Sequence, residues 1–271
     1  MKSIKFYLAG FLAMASMGLF LTGCDSNNDV SGTSNIKVRM ADAPGDYQSV
    51  FVDVKDVLIK NSDDTDDSKG WVSIGSITPG IYDLLKLTGG VNVLLADNTV
   101  PSGYLGQMRL LLGDRNTVVK NGMTYDLKTP SAQQSGLKLK IKQDLVAGAT
   151  YEFMLDFDVK NSVVVQAGSS GNYNLHPVIR VSSTATSGVI KGTVSIVPAG
   201  ATDLAASVKV GDITVSAFAN EQEMFQLNGI PAGTYDVKLT YKVANVEYMK
   251  TVSAVVVING KVTDMGATPL P

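Results

Sequence analysis

Cysteine and histidine are almost missing from this sequence of 271 residues, which contains one of each, Cys24 and His176. A single cysteine cannot form an intrachain disulfide or a multi-cysteine metal site. A single histidine cannot build a multi-histidine zinc or iron centre, and any Ser-His-Asp arrangement would have to use that one imidazole. We therefore expect His176 to lie at the edge of a strand without a catalytic role.

Charge is also scarce, since charged residues make up 18% of the chain and hydrophobic residues 45%. The formal net charge of −2 falls to about −4 if Lys2 and Lys5 are removed with the N-terminal segment. Nucleic-acid binding needs a concentrated basic face, so we expect no nucleic-acid partner. The apolar share is large enough for packed cores, and the length leads us to expect two domains.

The N-terminal segment, residues 1–23, has the composition of a signal peptide. Two lysines are followed by an apolar run from Phe6 to Leu21, and the sequence Leu-Thr-Gly-Cys closes it at Cys24. This tetrapeptide resembles a bacterial lipobox, which implies cleavage between Gly23 and Cys24 and lipidation of Cys24. The alternative is an uncleaved membrane-anchor helix, but the apolar run is shorter than the roughly 20 residues that span a bilayer.

These features predict a lipoprotein of the bacterial cell envelope that contacts the membrane through Cys24. We expect it at the outer membrane, on the periplasmic or the cell-surface face. More than one acyl chain is needed for a stable anchor. Residues 24–35 are polar and have no periodicity, which indicates a flexible tether between the membrane and the first domain.

Beyond the tether, short runs with alternating apolar and polar residues indicate an all-β chain. The apolar positions change parity near Lys55-Asp56, which predicts a β-bulge there. Asn121-Gly122 and Asn259-Gly260 each predict a tight hairpin turn. The expected fold is two β-sandwich domains, immunoglobulin-like or transthyretin-like, over residues 36–182 and 188–271.

The first of these segments carries several separate motifs in order: VRMADAPGDYQSVFVDVKDVLIK, GWVSI, IYDLLKL, VPSGYLGQMRLLL, LDFDVKNSVVV and YNLHPVIRV. With these motifs the segment resembles the bacterial lipoprotein family known as domain of unknown function forty-three eighty-two. The resemblance implies an extracytoplasmic β-rich domain and implies no activity.

The second segment carries the motif FQLNGIPAGTY from Phe225 to Tyr235. It fits the pattern F-x-L-x-G-[IL]-P-x-G-x-Y and resembles the carboxypeptidase regulatory-like, transthyretin-like β-sandwich. Modules of that kind are usually non-catalytic, so the resemblance implies a spacer or adaptor.

Acidic residues supply the main candidates for chemistry. Asp156 and Asp158 lie two apart on one strand face, and Asp42 and Asp46 in a nearby turn motif could approach them. Such carboxylates could bind calcium or another hard cation, or act as an acid and base pair. The alternative is that they are solvated acids. Asp63, Asp64, Asp66 and Asp67 lack the spacing of an EF-hand and are expected to form a solubilising loop.

Four aromatic residues could form a glycan-binding platform, and Tyr173 is the one expected to be exposed: Trp71, Tyr104, Tyr125 and Tyr173. The favoured function is a non-catalytic binding, adhesion or scaffold role towards an unknown glycan or protein partner. One alternative is an envelope hydrolase or glycan-processing enzyme that uses Asp156, Asp158 or His176. The other is a calcium-stabilised structural module; apart from calcium, no cofactor is expected.

Overall fold

A computed structural model describes residues 32–43, 45, 47–66, 68–129, 136–165 and 172–271. These residues are almost entirely β-strand, which confirms the predicted all-β, sandwich-like fold. None of the helices within these ranges is long and apolar enough to cross a membrane. The signal segment and most of the tether, including Cys24, lie outside the described residues.

Two sheets form the first half of the chain. Its strands are β1 Thr33–Ala43, β2 Ser49–Lys60, β3 Val72–Ser73, β4 Gly80–Asp83, β5 Val93–Pro101, β6 Gly103–Leu112, β7 Thr117–Lys120, β8 Met123–Lys128, β9 Leu137–Leu145, β10 Thr150–Asp158, β11 Val163–Val165, β12 Tyr173–Leu175 and β13 Ile179–Ser183. A 3₁₀ turn, Leu84–Lys86, and a four-residue helix, α1 Val159–Ser162, connect strands.

The smaller sheet of this half has the order β13-β10-β1-β5, and β1 pairs with β10 in parallel. The larger sheet has the path β11-β12-β8-β7-β2-β6-β9, with β3 and β4 also paired to β2. The two sheets enclose one hydrophobic core. Alternate residues of β10, including Phe153, Leu155 and Phe157, point into it, as the period-two pattern predicts.

Two further sheets form the second half of the chain. Its strands are β14 Gly188–Ser195, β15 Ala201–Val210, β16 Ile213–Phe218, β17 Met224–Ile230, β18 Gly233–Val243, β19 Val246–Val257 and β20 Val262–Pro269. The sheet orders are β17-β14-β20 and β16-β15-β18-β19, and a second hydrophobic core lies between them. The division into independent domains near residues 182–188 stays a prediction.

Local turn signals gave mixed results. The register of β2 against β6 shifts between Val54 and Asp56, which confirms the predicted bulge. The Asn121-Gly122 turn joins β7 and β8 as a two-residue hairpin, and both turn residues have positive φ. The hairpin predicted at Asn259-Gly260 is wrong, because β19 and β20 belong to different sheets. There the backbone N–H of Gly260 donates to Ser187 O, and the turn connects strands of two different sheets.

Candidate functional site

The register of β1 against β10 determines which side of the smaller sheet each candidate acid occupies. Met40 of β1 pairs with Leu155 of β10, and Asp42 pairs with Phe157. Since paired residues of neighbouring strands point to the same side, Asp42 continues the core-facing row of β1. Asp156 and Asp158 have the opposite parity to Phe157 and lie on the outward side of the sheet.

Asp42 is a buried acid with only 4% of its surface exposed. Neither carboxyl oxygen has a hydrogen-bond partner. Burial raises the pKa of Asp42 well above its ordinary value of 3.8, and the negative charges of Asp156, Asp158 and Asp83 raise it further. The nearby backbone N–H of Val159 opposes this rise but is too poorly placed to hydrogen-bond the carboxyl group. The carboxyl group is therefore held in surroundings that favour its neutral, protonated form.

Asp156 is engaged by an arginine that the sequence analysis did not single out. The Nη2 atom of Arg180 on β13 donates to Asp156 Oδ2 at 2.7 Å, and 12% of the Asp156 side chain is exposed. Burial raises the pKa of Asp156, although the guanidinium charge and its hydrogen bond oppose this. A charged pair with this geometry orients both side chains and leaves Asp156 little freedom to act as an acid or base.

Arg180 also connects the two halves of the chain. Its Nη1 atom donates to Gly229 O at 3.1 Å, and its Nη2 atom donates to Asn228 O. Both carbonyl groups belong to the FQLNGIPAGTY motif of the second half. Gly229 has φ of +66°, and a Cβ atom there would lie 2.3 Å from Ser182 Cβ, so the motif can approach β13 this closely only with glycine.

Asp158 and His176 have separate surroundings. Asp158 Oδ1 accepts from the backbone N–H of Asn161 at 3.0 Å, and Oδ2 accepts from the Asn161 side chain at 2.7 Å. Asp158 is thus the N-cap of α1. The His176 side chain is exposed, while its backbone N–H donates to Ser162 O. This agrees with the expected position at a strand end.

The structure thus separates the predicted acids. Asp42 faces the core, Asp156 binds Arg180, and Asp158 caps a helix, while Asp46 lies outside the described residues. Within the described ranges, no group of three or more Asp, Glu, His or Cys side chains is placed to hold a metal ion. Whether any of these acids binds calcium stays a prediction.

The acidic loop after β2 is tied down by its neighbours. Lys60 donates to Asp64 Oδ1 and Asp66 O at 2.5 Å each. Tyr104 donates to Asp63 Oδ2 at 2.7 Å. The loop is therefore a structural cover over a buried lysine, with more fixed partners than a merely solubilising loop would have. Asp67 lies outside the described residues.

The aromatic residues do not form one platform. Tyr173 was expected to be exposed, but only 7% of its surface is, because its ring packs 5.0 Å from that of Tyr125 and 6.4 Å from that of Tyr47. Trp71 stacks on the guanidinium of Arg109, with 4.0 Å between Cζ and the ring centroid. The expectation for Tyr173 was wrong because pairing of β12 with β8 turns this side chain inward.

A comparison with protein-family models matches residues 33–177 to the family described as a domain of unknown function (DUF4382). A search of curated proteins returns no match.

Three solved structures show weak similarity to the chain. The Bacillus anthracis TIE protein has 11% identity and a TM-score of 0.21 over 88% of this chain and 34% of its own. A leucine-rich repeat protein from Bacteroides thetaiotaomicron has 10% identity and a TM-score of 0.19 over 88% and 26%. The shaft pilin SpaA from Lactobacillus rhamnosus has 10% identity and a TM-score of 0.18 over 89% and 99%. At these TM-scores the three structures carry no argument.

Replacing Asp42 by Asn is expected to stabilise the protein at about pH 7. The unfolded chain releases the Asp42 proton near the ordinary pKa of 3.8, whereas the folded chain retains it to a higher pH. The free energy of unfolding therefore falls as the pH rises from 3.8 through the folded-state pKa of Asp42. An asparagine amide does not titrate, so the Asn variant does not show this fall. The measurement is the thermal midpoint across this pH range, with a rise of a few degrees expected at the neutral end.

Asp53 is the matched control, because it is also buried, with 1% exposed, but is paired with Arg115 and Lys55. The hydrogen bond from Arg115 lowers the pKa of Asp53. The ionised Asp53 carboxylate therefore stabilises the folded protein fully above pH 3.8, and this stabilisation is lost as the pH falls through the folded-state pKa. Asp53→Asn should therefore destabilise at neutral pH. If calcium raises the wild-type midpoint and Asp42→Asn abolishes that rise and destabilises, Asp42 is instead a cation ligand.

Arg180→Ala is expected to destabilise the protein by about 2–5 kcal/mol, because it leaves the Asp156 carboxylate and two backbone carbonyls without their donor. We also expect calorimetry to resolve two unfolding transitions in place of one. The control is Lys191→Ala, which removes the exposed Lys191–Asp264 pair and should cost no more than about 1 kcal/mol. Equal effects of the two substitutions would show that Arg180 does not couple the cores.

Proposed function

The chain belongs to the family described as a domain of unknown function (DUF4382), and on this premise we propose that it is a lipid-anchored protein of the bacterial cell envelope. Its role is non-catalytic binding, adhesion or scaffolding towards a glycan or protein partner. The first half engages the partner, and the second half is a carboxypeptidase regulatory-like spacer or adaptor.

The observation that carries this proposal is the set of contacts made by Arg180. Asp156, the acid that an enzyme would need, is held by Arg180 at 2.7 Å, and the same guanidinium binds Asn228 O and Gly229 O. Asp158, its predicted partner, caps α1. Both carboxylates of the alternative hydrolase are thus used to hold structure, which favours a scaffold over an enzyme.

The packing of the FQLNGIPAGTY motif supports an adaptor role for the second half. Phe225, Leu227 and Ile230 are buried in the second core. The hydroxyl group of Tyr235 donates to Pro231 O at 2.9 Å and closes the turn between β17 and β18. The motif therefore stabilises its own sandwich while its carbonyl groups face the first half, as expected of a module that holds a neighbour in place.

The lipid anchor is supported by the sequence before the described residues. The apolar run and the tetrapeptide ending at Cys24 have the order of a lipoprotein signal. Mature Cys24 would stand eight residues before Gly32, so at most about 29 Å of extended chain would separate them. We place the protein at the outer membrane, on its periplasmic or cell-surface face.

A calcium-stabilised module is the second candidate. The unpartnered, buried carboxyl group of Asp42 favours it, because a bound cation would supply the missing partner. The midpoint of Asp42→Asn with calcium and with chelator distinguishes this candidate from a neutral acid.

Cys24→Ala is expected to abolish incorporation of labelled palmitate and to release the protein from the membrane fraction or leave its precursor uncleaved. The physical reason is that the thiol carries the acyl chains that hold the protein in the bilayer. Fractionation of cells that express the full chain provides the measurement. Ser26→Ala, two residues away, is the control and should leave labelling and location unchanged. Normal processing and membrane association of Cys24→Ala would contradict the anchor.

The binding role of the first half is tested by cross-linking in intact cells. Val164 is exposed on β11, the end strand of the larger sheet, and a partner can approach the edge of such a strand. A photoreactive residue at this position should give a discrete conjugate that depends on light and on Cys24. If neither this position nor the exposed Met123 on β8 gives a conjugate, engagement of a partner by the first half is wrong.

A further inference from the structure

The described chain begins at one end of the first sandwich, between two turns. The backbone N–H of Ser102 donates to Gly32 O at 3.0 Å, which fixes the start of the chain beside the turn between β5 and β6. The N–H of Gly148 donates to Thr33 O at 2.8 Å, which fixes it beside the turn between β9 and β10. A tether that leads to Cys24 therefore leaves the sandwich between these two turns.

Val146 lies on the second of these turns and is 63% exposed. Its backbone has no freedom to turn the side chain inward. The N–H of Val146 donates to Tyr151 Oη at 2.9 Å, and its carbonyl accepts from the buried Ser34 Oγ at 2.8 Å. The fold thus holds an apolar side chain in water beside the start of the first strand, where the tether joins the sandwich.

A groove of about 1080 Å³ opens beside this turn. Leu145 lines it, and so do the exposed side chains of Val72 and Tyr104. Tyr104 stands next to Asp144 in the pairing of β6 with β9, one residue pair from Leu145. Exposed apolar side chains that occur singly need no explanation, but several at one end of a molecule mark a contact surface.

We propose that this end of the sandwich, formed by Val146, Tyr104 and Val72, contacts the surface of the bilayer that holds the anchor. The proposal rests on the lipidation of Cys24 proposed above. A tether of at most about 29 Å keeps this end close to the bilayer. Valine side chains gain free energy on entering the headgroup and acyl boundary, and tyrosine suits that boundary because its ring is apolar and its hydroxyl polar.

Charge does not drive this contact. Asp63 and Asp144 are the acids beside Tyr104. Asp63 accepts the Tyr104 hydroxyl and lies 3.9 Å from Lys142 Nζ, so a cation and a hydrogen bond partly offset its charge. The acyl chains supply the affinity, and the apolar end fixes how the sandwich is oriented.

The experiment uses the single cysteine of the chain to advantage. When Cys24 is acylated, Val146→Cys supplies one reactive thiol for an environment-sensitive fluorophore. The full-length lipidated protein is reconstituted in vesicles of phosphatidylethanolamine and phosphatidylglycerol. Val246→Cys is the matched control, because Val246 is also an exposed valine, at 54%, and is the first residue of β19, in the second half. Unsubstituted protein should take up no label.

We expect the fluorophore at position 146 to shift its emission to shorter wavelength in vesicles and to lose several-fold of its quenching by an aqueous quencher, while position 246 changes in neither respect. Flotation of the vesicles reports the anchor separately. Protein that floats with equal spectra at both positions would overturn the contact and leave the anchor intact. Protein that does not float would overturn the anchor and the contact with it. A thermal melt of each labelled variant confirms folding.

Discussion

The parallel pairing of β1 with β10 is the constraint on which the first half of the structure depends. It brings Ile36, Val38 and Met40 beside Tyr151, Phe153 and Leu155, and so forms the centre of the core. The same register places Asp42 at the next core position, beside Phe157. A shift by one residue would turn Ile36, Val38 and Met40 away from the core, so the cost of burying one acid is small against what the register stabilises.

The outward side of the same sheet carries the junction between the two cores. Asp156 lies there because its neighbours in sequence point inward, and Arg180 reaches it from the adjacent strand β13. A buried carboxylate alone would be unfavourable, and a guanidinium alone at this junction would be as well. Together they satisfy each other and leave donors for Asn228 O and Gly229 O, so one guanidinium connects the two halves.

The sequence allowed the local features to be predicted and not the long-range ones. The bulge near Lys55 and the Asn121-Gly122 hairpin depend on a few adjacent residues, and both occur. Asn259-Gly260 has the same turn chemistry but joins two sheets, because strand partners are decided by distant residues. The inward position of Asp42 could be predicted from the sequence, because Asp42 continues the alternation of Val38 and Met40 along β1. The role of Arg180 had only a weak signal in the sequence, a charge within the apolar run VIRV. Its partner Asp156 lies 24 residues away along the chain, and Asn228 and Gly229 lie 48 and 49 residues away.

The proposed contact of the first sandwich with the bilayer and its junction with the second sandwich have a combined consequence. If the end with Val146 rests on the bilayer, the tilt of the first sandwich is fixed by contact as well as by the tether. Arg180 then transmits that tilt to the second sandwich, because its planar guanidinium binds groups of both halves in one geometry. A flexible tether would by itself leave the outer sheets free to face any direction. A surface contact and a fixed junction together hold the first sandwich, which engages the partner, and the second sandwich at one orientation. Less orientational entropy is then lost when the partner binds.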